Sequence, residues 1–350
     1  MSSHSTLNSP VMKYSIIIPV YNRPDEADEL LESLCQQTVK DFEVIIVEDG
    51  STIPCEDVVK KYAERLDVKY FVKPNGGPGP ARNYGVERAQ GEYVLILDSD
   101  CVIPEGYLAA IEAELNENPC DAFGGPDAAH PSFTPIQKAI SYSMTSFFTT
   151  GGIRGGKKKL DRFFPRSFNM GMRRTVYNSL GGFARMRFGE DIDFSYRIVE
   201  AGHSCRLLPE AWVWHKRRTD FDKFFKQVFN SGIARINLEK RHPGTMKLVH
   251  LLPMVFTVGV ITLLLAAVIL KFVLPDTAWF ALPLLPLLLY ILLIFCDATI
   301  QNKNPLIGYY AVIAAFVQLM GYGFGFLKAW WLRCVLGKDE FTAFEKNFYD

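Results

Sequence analysis

The sequence predicts an α/β protein: a parallel, doubly wound sheet, then an amphipathic interfacial helix and about three transmembrane helices. Two observations predict it. Strand-like and helix-like runs alternate from residue 12 to about residue 208, the pattern that builds a parallel sheet with helices on its faces. Charged residues are frequent up to about Lys247 and sparse over 248–327, where three apolar stretches follow one another. The expected division is a disordered N-terminus over 1–12, an α/β domain over 13–215, an amphipathic segment over 216–247, membrane helices over 248–335 and a polar tail over 336–350.

The first strand is the continuous apolar run Tyr14-Ser-Ile-Ile-Ile-Pro-Val-Tyr21, as expected of a strand buried on both faces. Asn22 to Asp25 form a turn, and Pro24 with the acidic residues suits a helix start. Over 25–37, Ala27, Leu30, Leu31 and Leu34 fall on one helical stripe. A second strand covers 42–47 and stops at Glu48-Asp49-Gly50-Ser51. A helix follows over 58–66, a strand over 68–72, a helix over 81–89 and a strand over 93–97 that ends at Asp98-Ser-Asp100. In such sheets ligands bind at the carboxyl ends of the strands, and three acidic or Gly-rich turns sit there.

The apolar stretches run over 249–274, 278–296 and 305–327. Each is long enough for the hydrocarbon layer of about 30 Å, which takes roughly 20 residues. Trp279, Tyr290, Tyr309, Tyr310, Trp330 and Trp331 near their ends resemble an aromatic belt. Pro283 and Pro286 are expected to kink the second span. Lys240, Arg241 and Lys247 place the start of the first span in the cytosol, but three crossings would put Lys328, Arg333 and Lys338 outside, against the positive-inside rule. Either one stretch is re-entrant or interfacial, or the tail breaks the rule. Phe221, Phe224, Phe225, Val228, Phe229 and Ile233, with Lys223, Lys226 and Arg235, form an amphipathic helix expected at the interface ahead of the first span.

Lysine plus arginine (38) balances aspartate plus glutamate (38), so no nucleic acid is expected as a partner. The seven cysteines form no CxxC pair and no even ladder, which fits free thiols in a reducing compartment. Residues 1–10 lack a basic region followed by an apolar run, so no cleaved signal peptide is expected and the soluble part is expected in the cytosol.

Four motifs carry chemistry. Asp49, closing the second strand, can accept hydrogen bonds from a nucleobase or ribose, with Gly50 allowing the tight turn; alone, Asp-Gly is a common turn. Asp98 and Asp100, two apart on a turn, can converge on a hard cation that also holds a diphosphate. Gly189-Glu-Asp-Ile-Asp193 offers a carboxylate that can take a proton from an attacking hydroxyl, although acidic residues also favour a helix start for the macrodipole alone. The loop Lys73-Pro-Asn-Gly-Gly-Pro-Gly-Pro-Ala-Arg-Asn83 suits close backbone approach to a diphosphate. It fits neither GxGxxG nor GxxxxGK[ST], so neither a dinucleotide fold nor a P-loop is supported.

The order of Ser15-Ile-Ile-Ile-Pro-Val-Tyr-Asn22, Val47-Glu-Asp-Gly-Ser51, Ala81-Arg-Asn-Tyr-Gly85, Asp98-Ser-Asp100 and Gly189-Glu-Asp191 resembles family 2 glycosyltransferases with the GT-A fold, a Rossmann-like nucleotide-sugar-binding domain, over about residues 13–215. The resemblance implies inverting, single-displacement transfer from a nucleotide sugar with Mn2+ or Mg2+; uridine diphosphate is the commonest donor nucleotide in the family. It implies that Asp49 binds the base or ribose, that Pro19, Tyr21 and Asn22 line that pocket, and that Arg82 sits near the nucleotide. Asp98 and Asp100 match the family's DxD, with Asp100 the direct metal contact. Asp191 matches the catalytic base and Glu190 shapes the site. Phe168-Asn-Met-Gly171 resembles the small loop beside the donor sugar, and His215 a histidine that completes the metal site.

Two departures stand out. The QxxRW signature of processive polysaccharide synthases is absent: the stretch Gln227 to Arg235 has no Trp. Glu48 stands where the family usually has Asp, with little consequence expected. The resemblance therefore favours single addition to a lipid-linked or membrane-surface acceptor in surface glycan synthesis, by a multi-pass plasma-membrane protein with a cytoplasmic catalytic domain. A processive synthase and a non-catalytic membrane scaffold are the alternatives. The cationic run from Gly155 through Lys159 and Arg162 to Arg166 is either a solvated loop or a contact for anionic headgroups or a lipid-linked diphosphate.

Overall fold

The computed structural model describes residues 12–128, 130, 132–151 and 163–339. In chain order its elements are β1 (Tyr14–Val20), α1 (Pro24–Cys35), β2 (Phe42–Asp49), α2 (Glu56–Lys60), β3 (Val68–Lys73), α3 (Pro78–Val86), β4 (Tyr93–Leu97), β5 (Cys101–Val102), α4 (Tyr107–Glu117), β6 (Ala122–Gly124), β7 (Asp127–Ala128), α5 (Pro135–Thr145), α6 (Phe147–Thr150), β8 (Asn169–Arg173), α7 (Arg174–Ser179), α8 (Glu190–Glu200), β9 (Cys205–Leu207), β10 (Val213–His215), α9 (Phe221–Arg241), α10 (Leu252–Val273), α11 (Leu285–Asn302) and α12 (Pro305–Trp330). They form two compact units. One holds every strand with α1 to α4, α7 and α8; the other holds α5, α6 and α9 to α12. α5 and α6, which fall within the 13–215 domain expected from the sequence, group with the C-terminal helices.

The first unit is built on a seven-stranded sheet of order β3-β2-β1-β4-β8-β6-β9. The apolar runs of β1, β2 and β4 form its centre and bury both faces. Ile16 and Ile18 pack with Leu30, Leu31 and Leu34 of α1 on one side. Ile17, Ile45, Val47 and Ile96 pack with Ala81 of α3 and Phe194 and Ile198 of α8 on the other. This alternation follows from the two-residue period of a strand.

The expected all-parallel sheet is corrected to a mixed one. β3, β2, β1 and β4 are parallel, but β8 runs antiparallel to both β4 and β6. The same strand corrects the loop expected at 168–171: Asn169 to Gly171 lie inside β8. Gly171 reads as a loop residue, yet a Cβ there would run into the Phe123 ring. It marks a close approach inside the sheet. The helix expected over 58–66 is regular only to Lys60. Beyond it the chain continues in i to i+3 bonds such as Tyr62 N to Val59 O (3.0 Å) and Arg65 N to Tyr62 O (2.9 Å), and Tyr62 and Leu66 are still buried.

A second, three-stranded sheet has the order β5-β10-β7. Its register sets His215 opposite Cys101, next to Asp100.

In the second unit, three helical segments, Leu252–Val273, Trp279–Asn302 and Pro305–Val335, are long and apolar enough to cross a membrane. The proline kink expected in the second span is corrected. Pro283 lies in the 3₁₀ segment Trp279–Leu284 and Pro286 in the first turn of α11, where a missing N–H breaks no helical bond. The amphipathic helix forms as α9, capped by the Asp220 carboxylate accepting from Lys223 N (2.7 Å). Its face of Phe224, Val228 and Ile233 is buried.

α3 lies so close to the sheet that a Cβ at Gly85 would stand 2.5 Å from Ile17 Cγ2 and 3.1 Å from Val47 Cγ2. Gly85→Ala is expected to destabilise the domain by about 1–3 kcal/mol through overpacking. Denaturant unfolding in detergent checks it; an unchanged midpoint would contradict this packing.

Candidate active site

Three parallel strands bring their carboxyl ends to one edge of the sheet: Pro19 of β1 pairs with Val47 of β2, and Ile17 with Ile96 of β4. The segments that follow Val20, Asp49 and Leu97 start there.

Asp49 closes β2 and anchors the Gly-rich loop. Its carboxylate accepts from Lys73 Nζ (2.6 Å) and from the backbone N–H groups of Gly76 (3.0 Å) and Gly77 (2.7 Å), with Asn75 Nδ2 at 3.3 Å. Gly50 has φ +74, and a Cβ would stand 2.6 Å from Asn75 N, so only glycine fits under this loop. Glu48 holds the same turn: its carboxylate accepts from Ser51 Oγ, from Cys55 N (2.8 Å) and from Tyr70 OH (3.1 Å). After β1, half-buried Tyr21 leads to Asn22. The Asn22 side chain accepts from Thr52 N (2.8 Å) and Ile53 N (2.9 Å), tying the first turn to the second.

Arg82 is buried between two carboxylates. It is 3 % exposed and donates from Nη2 to Asp98 Oδ1 and from Nη1 to Glu190 Oε1, each at 2.8 Å. Its guanidinium also lies 5.1 Å from the Phe183 ring centroid.

Asp100 has other partners than Asp98. Its carboxylate pairs with His215 Nε2 and with Arg23 Nη1, both at 3.1 Å. The His215 ring stacks on Phe168, with centroids 4.9 Å apart. Asp100, Cys101 and His215 each bring a ligand atom within 4.8 Å of the other two. The Cys101 thiol itself lies against the Phe168 carbonyl at 3.4 Å. A carboxylate with an imidazole fits a divalent cation, Mn2+ better than oxygen-preferring Mg2+.

Glu190 and Asp191 occupy the first turn of α8, where the macrodipole favours negative charge. Arg166 Nε donates to Asp191 Oδ2 at 2.8 Å. Burial raises the Glu190 carboxyl above its ordinary value in spite of Arg82, with Asp191 adding to the rise. Asp191 is desolvated too, but the Arg166 charge and hydrogen bond overcome burial and hold its carboxyl below the ordinary value. Two adjacent carboxyls are thus driven in opposite directions.

Arg166 and Arg23 are the residues the sequence reading missed. Arg166 stood there only as the end of a cationic run; the rest of that run, 155–162, lies outside the described residues. The antiparallel β8 carries it to α8, and no sequence signal marked that strand. Arg23 was findable, since it directly follows Asn22 at the carboxyl end of β1.

Residues 15–181 match the family model described as Glycosyl transferase family 2. An uncharacterized glycosyltransferase of Rickettsia felis is 37% identical over 143 residues, 40% of this chain and 23% of that protein. Poly(ribitol-phosphate) beta-N-acetylglucosaminyltransferase TarS of Staphylococcus aureus is 38% identical over 115 residues, 32% of this chain and 20% of that protein. The chain spans less than a quarter of the length of these two curated relatives. A solved structure, the mannosyltransferase PcManGT from Pyrobaculum calidifontis in complex with GDP-Man and Mn2+, has a TM-score of 0.59 at 19% identity, covering 88% of this chain and 87% of that one. That likeness is one of fold.

The Arg166–Asp191 pair has a pH signature. The folded-state Asp191 carboxyl is lowered, so the pair's stabilisation is fully present above the ordinary carboxylate range and is lost as pH falls through the lowered value. Arg166→Gln is expected to move acid unfolding to higher pH. Titration of tryptophan fluorescence checks it; an acid midpoint unchanged by the substitution would refute the pairing.

Proposed function

We propose, from the premise that this chain carries a family 2 glycosyltransferase domain of GT-A-like fold, that it is a membrane-anchored inverting glycosyltransferase. It moves one sugar from a nucleotide-diphosphate sugar to a lipid-linked or membrane-surface acceptor in surface glycan synthesis. Its catalytic domain stands on the cytoplasmic side of the plasma membrane. The observation that carries the reading is the meeting of Asp98, Glu190 and buried Arg82 at the edge where Asp49 and Asp100 also lie.

In this reading each part of the chain has a task. Asp49 and the loop it anchors form the floor of the nucleoside site, with Pro19, Tyr21 and Asn22 beside it. Asp100 and His215, with Asp98 on the same turn, hold Mn2+ or Mg2+. When bound there, such a cation would supply neutralisation of charge on the leaving diphosphate. Arg82 fixes Asp98 against Glu190, so the donor turn and the first turn of α8 keep one spacing. Asp191 takes the proton of the attacking acceptor hydroxyl while that oxygen bonds to the sugar carbon and the diphosphate leaves from the opposite face. Its lowered pKa keeps it ionised, the form a general base must have. Arg166 orients that carboxylate. The Mn2+ and GDP-Man in the mannosyltransferase complex support a metal-dependent nucleotide-sugar reaction. The name of the Staphylococcus relative supports a polyol-phosphate type of surface glycan.

The test is nucleotide-sugar binding in detergent, scanning UDP-, GDP- and dTDP-sugars with and without Mn2+. Metal-dependent binding of one donor is expected, and Asp100→Ala is expected to remove the metal dependence. A folded sample that binds none of them would overturn the reading. For the base, Asp191→Asn is expected to lower kcat by about 10²–10⁴ while donor affinity is kept. Transfer at the unaltered rate would remove Asp191 from the chemistry.

A further inference from the structure

The third apolar segment differs from the other two in what covers it. In its most apolar window 44% of residues are buried within the protein, against 17% for Leu252–Val273 and 6% for Trp279–Asn302. The cover comes from α5, α9, α10 and α11.

α9 lies along α12 in the same direction over most of its length. Near the start, the rings of Phe221 and Tyr310 have centroids 6.2 Å apart. Midway, a Cβ at Gly321 would stand 2.7 Å from Val228 Cγ2, one at Gly232 would run into the Tyr322 backbone, and one at Gly325 into the Phe229 backbone. At the far end Arg333 Nη1 donates to Asn237 Oδ1 and Lys240 Nζ to the Arg333 carbonyl, both at 2.7 Å. Small residues let two helix backbones meet this closely.

α9 is not a helix that hydrocarbon accepts. Asp222, Lys223 and Lys226 are exposed at one end, Lys240 and Arg241 at the other, and Arg235 and Glu239 lie between. Charges at membrane depth are strongly disfavoured. A partner locked to α9 from Tyr310 to Arg333 cannot cross a bilayer without drawing those charges in. α10 and α11 carry one charge each, and both lie near helix ends: Lys271 in the last turn of α10, by the connection, and Asp297 toward the far end of α11, where it accepts from Tyr142 OH (2.5 Å). Leu252, Leu265 and Phe272 of α10 and Leu288, Leu289 and Leu292 of α11 are exposed apolar side chains. The two helices are joined by a short connection with Asp276 and exposed Trp279, residues suited to the far interface.

We infer that α10 and α11 cross the bilayer as a two-helix hairpin, and that α9 and α12 lie as a pair on its cytosolic face against lipid headgroups. Exposed Tyr309, Phe324 and Trp330 of α12 suit the headgroup boundary. Two crossings return the chain to the side it left. Lys240, Lys247, Lys328, Arg333 and Lys338 then share the cytosolic side, and the conflict with the positive-inside rule disappears.

This rests on the membrane-anchored reading, and the test separates the two. In the full chain, Cys35, Cys205, Cys296 and Cys334 are replaced by Ala, leaving only buried thiols. Single cysteines are then placed by Pro243→Cys, Asp276→Cys or Lys338→Cys. A membrane-impermeant maleimide is applied to intact cells and to inverted vesicles, after a carbonate wash has shown whether the chain stays in the membrane. The positions 243 and 338 are expected to label at least tenfold better in inverted vesicles, and position 276 at least tenfold better in intact cells. Labelling of 338 with 276 would overturn the two-crossing hairpin while leaving anchoring intact. Release by carbonate would overturn anchoring and the hairpin together. If the cysteine-poor chain does not fold, a green fluorescent protein fused to the C-terminus of the natural chain gives the same decision. Fluorescence is expected for a cytosolic end; a dark fusion of which the full-length chain is present in the membrane would overturn it.

Discussion

One buried guanidinium couples the parts of the site to each other. Arg82 in α3 bridges Asp98, at the end of β4, and Glu190, at the start of α8, with 2.8 Å bonds to each. Removing the guanidinium from such a bridge leaves the buried Glu190 carboxylate without its cation, at a cost of about 3–5 kcal/mol. The turn after β4 and the first turn of α8 therefore cannot drift independently. The next residue adds a second tie. Asn83 donates to the Phe183 carbonyl (2.9 Å) and accepts from Phe183 N (2.8 Å) and from Tyr177 OH. Two successive residues of one short helix thus fix a segment about a hundred positions away.

The same logic governs the remaining carboxylates. Crowded carboxylates at one sheet edge repel one another unless each has a cation beside it. Lys73 stands on Asp49, Arg23 on Asp100 and Arg166 on Asp191. These cations come from three different places: the last residue of β3, the turn after β1 and the strand-like bridge before β8. The antiparallel direction of β8 is what makes the last one possible. With Asn169 opposite Leu97, the beginning of β8 lies where β4 ends, and the residues just before it arrive at the acidic edge. A parallel strand would have delivered Arg173 and its neighbours there instead.

The parts legible in the sequence are those whose signal is local. The apolar runs of β1, β2 and β4 and the stripe Ala27, Leu30, Leu31 and Leu34 determine their own burial, and their carboxyl-end acids follow from chain direction. β8 was not legible, because Asn169-Met-Gly-Met172 has no β-branched residue and its glycine exists to admit Phe123 from another strand. The partners of the site acids were not legible for the same reason. Nothing in the spacing of Arg82 and Glu190, or of Arg166 and Asp191, states that they meet. The prolines of the second apolar stretch were visible, but whether Pro286 kinks a helix or begins one depends on where the preceding chain turns.

The C-terminal helices show the limit of reading composition alone. Hydropathy describes a segment by itself, whereas crossing a bilayer depends also on what is packed against it. Pro305–Val335 is the least apolar of the three segments and the most buried. Its glycines at 321 and 325 admit α9, and that at 323 admits α10, where a Cβ would run into Thr257. Gly308 does the same for α11, meeting Thr299. A helix that presents glycine to three neighbours is built as the centre of a helical unit, and its apolar side chains are taken up by those neighbours. α10 and α11 lack that pattern, and many of their apolar side chains, Leu265, Phe272, Leu288 and Leu289 among them, are exposed. Similar apolar composition therefore has two physical meanings in one chain, and the position of glycine distinguishes them.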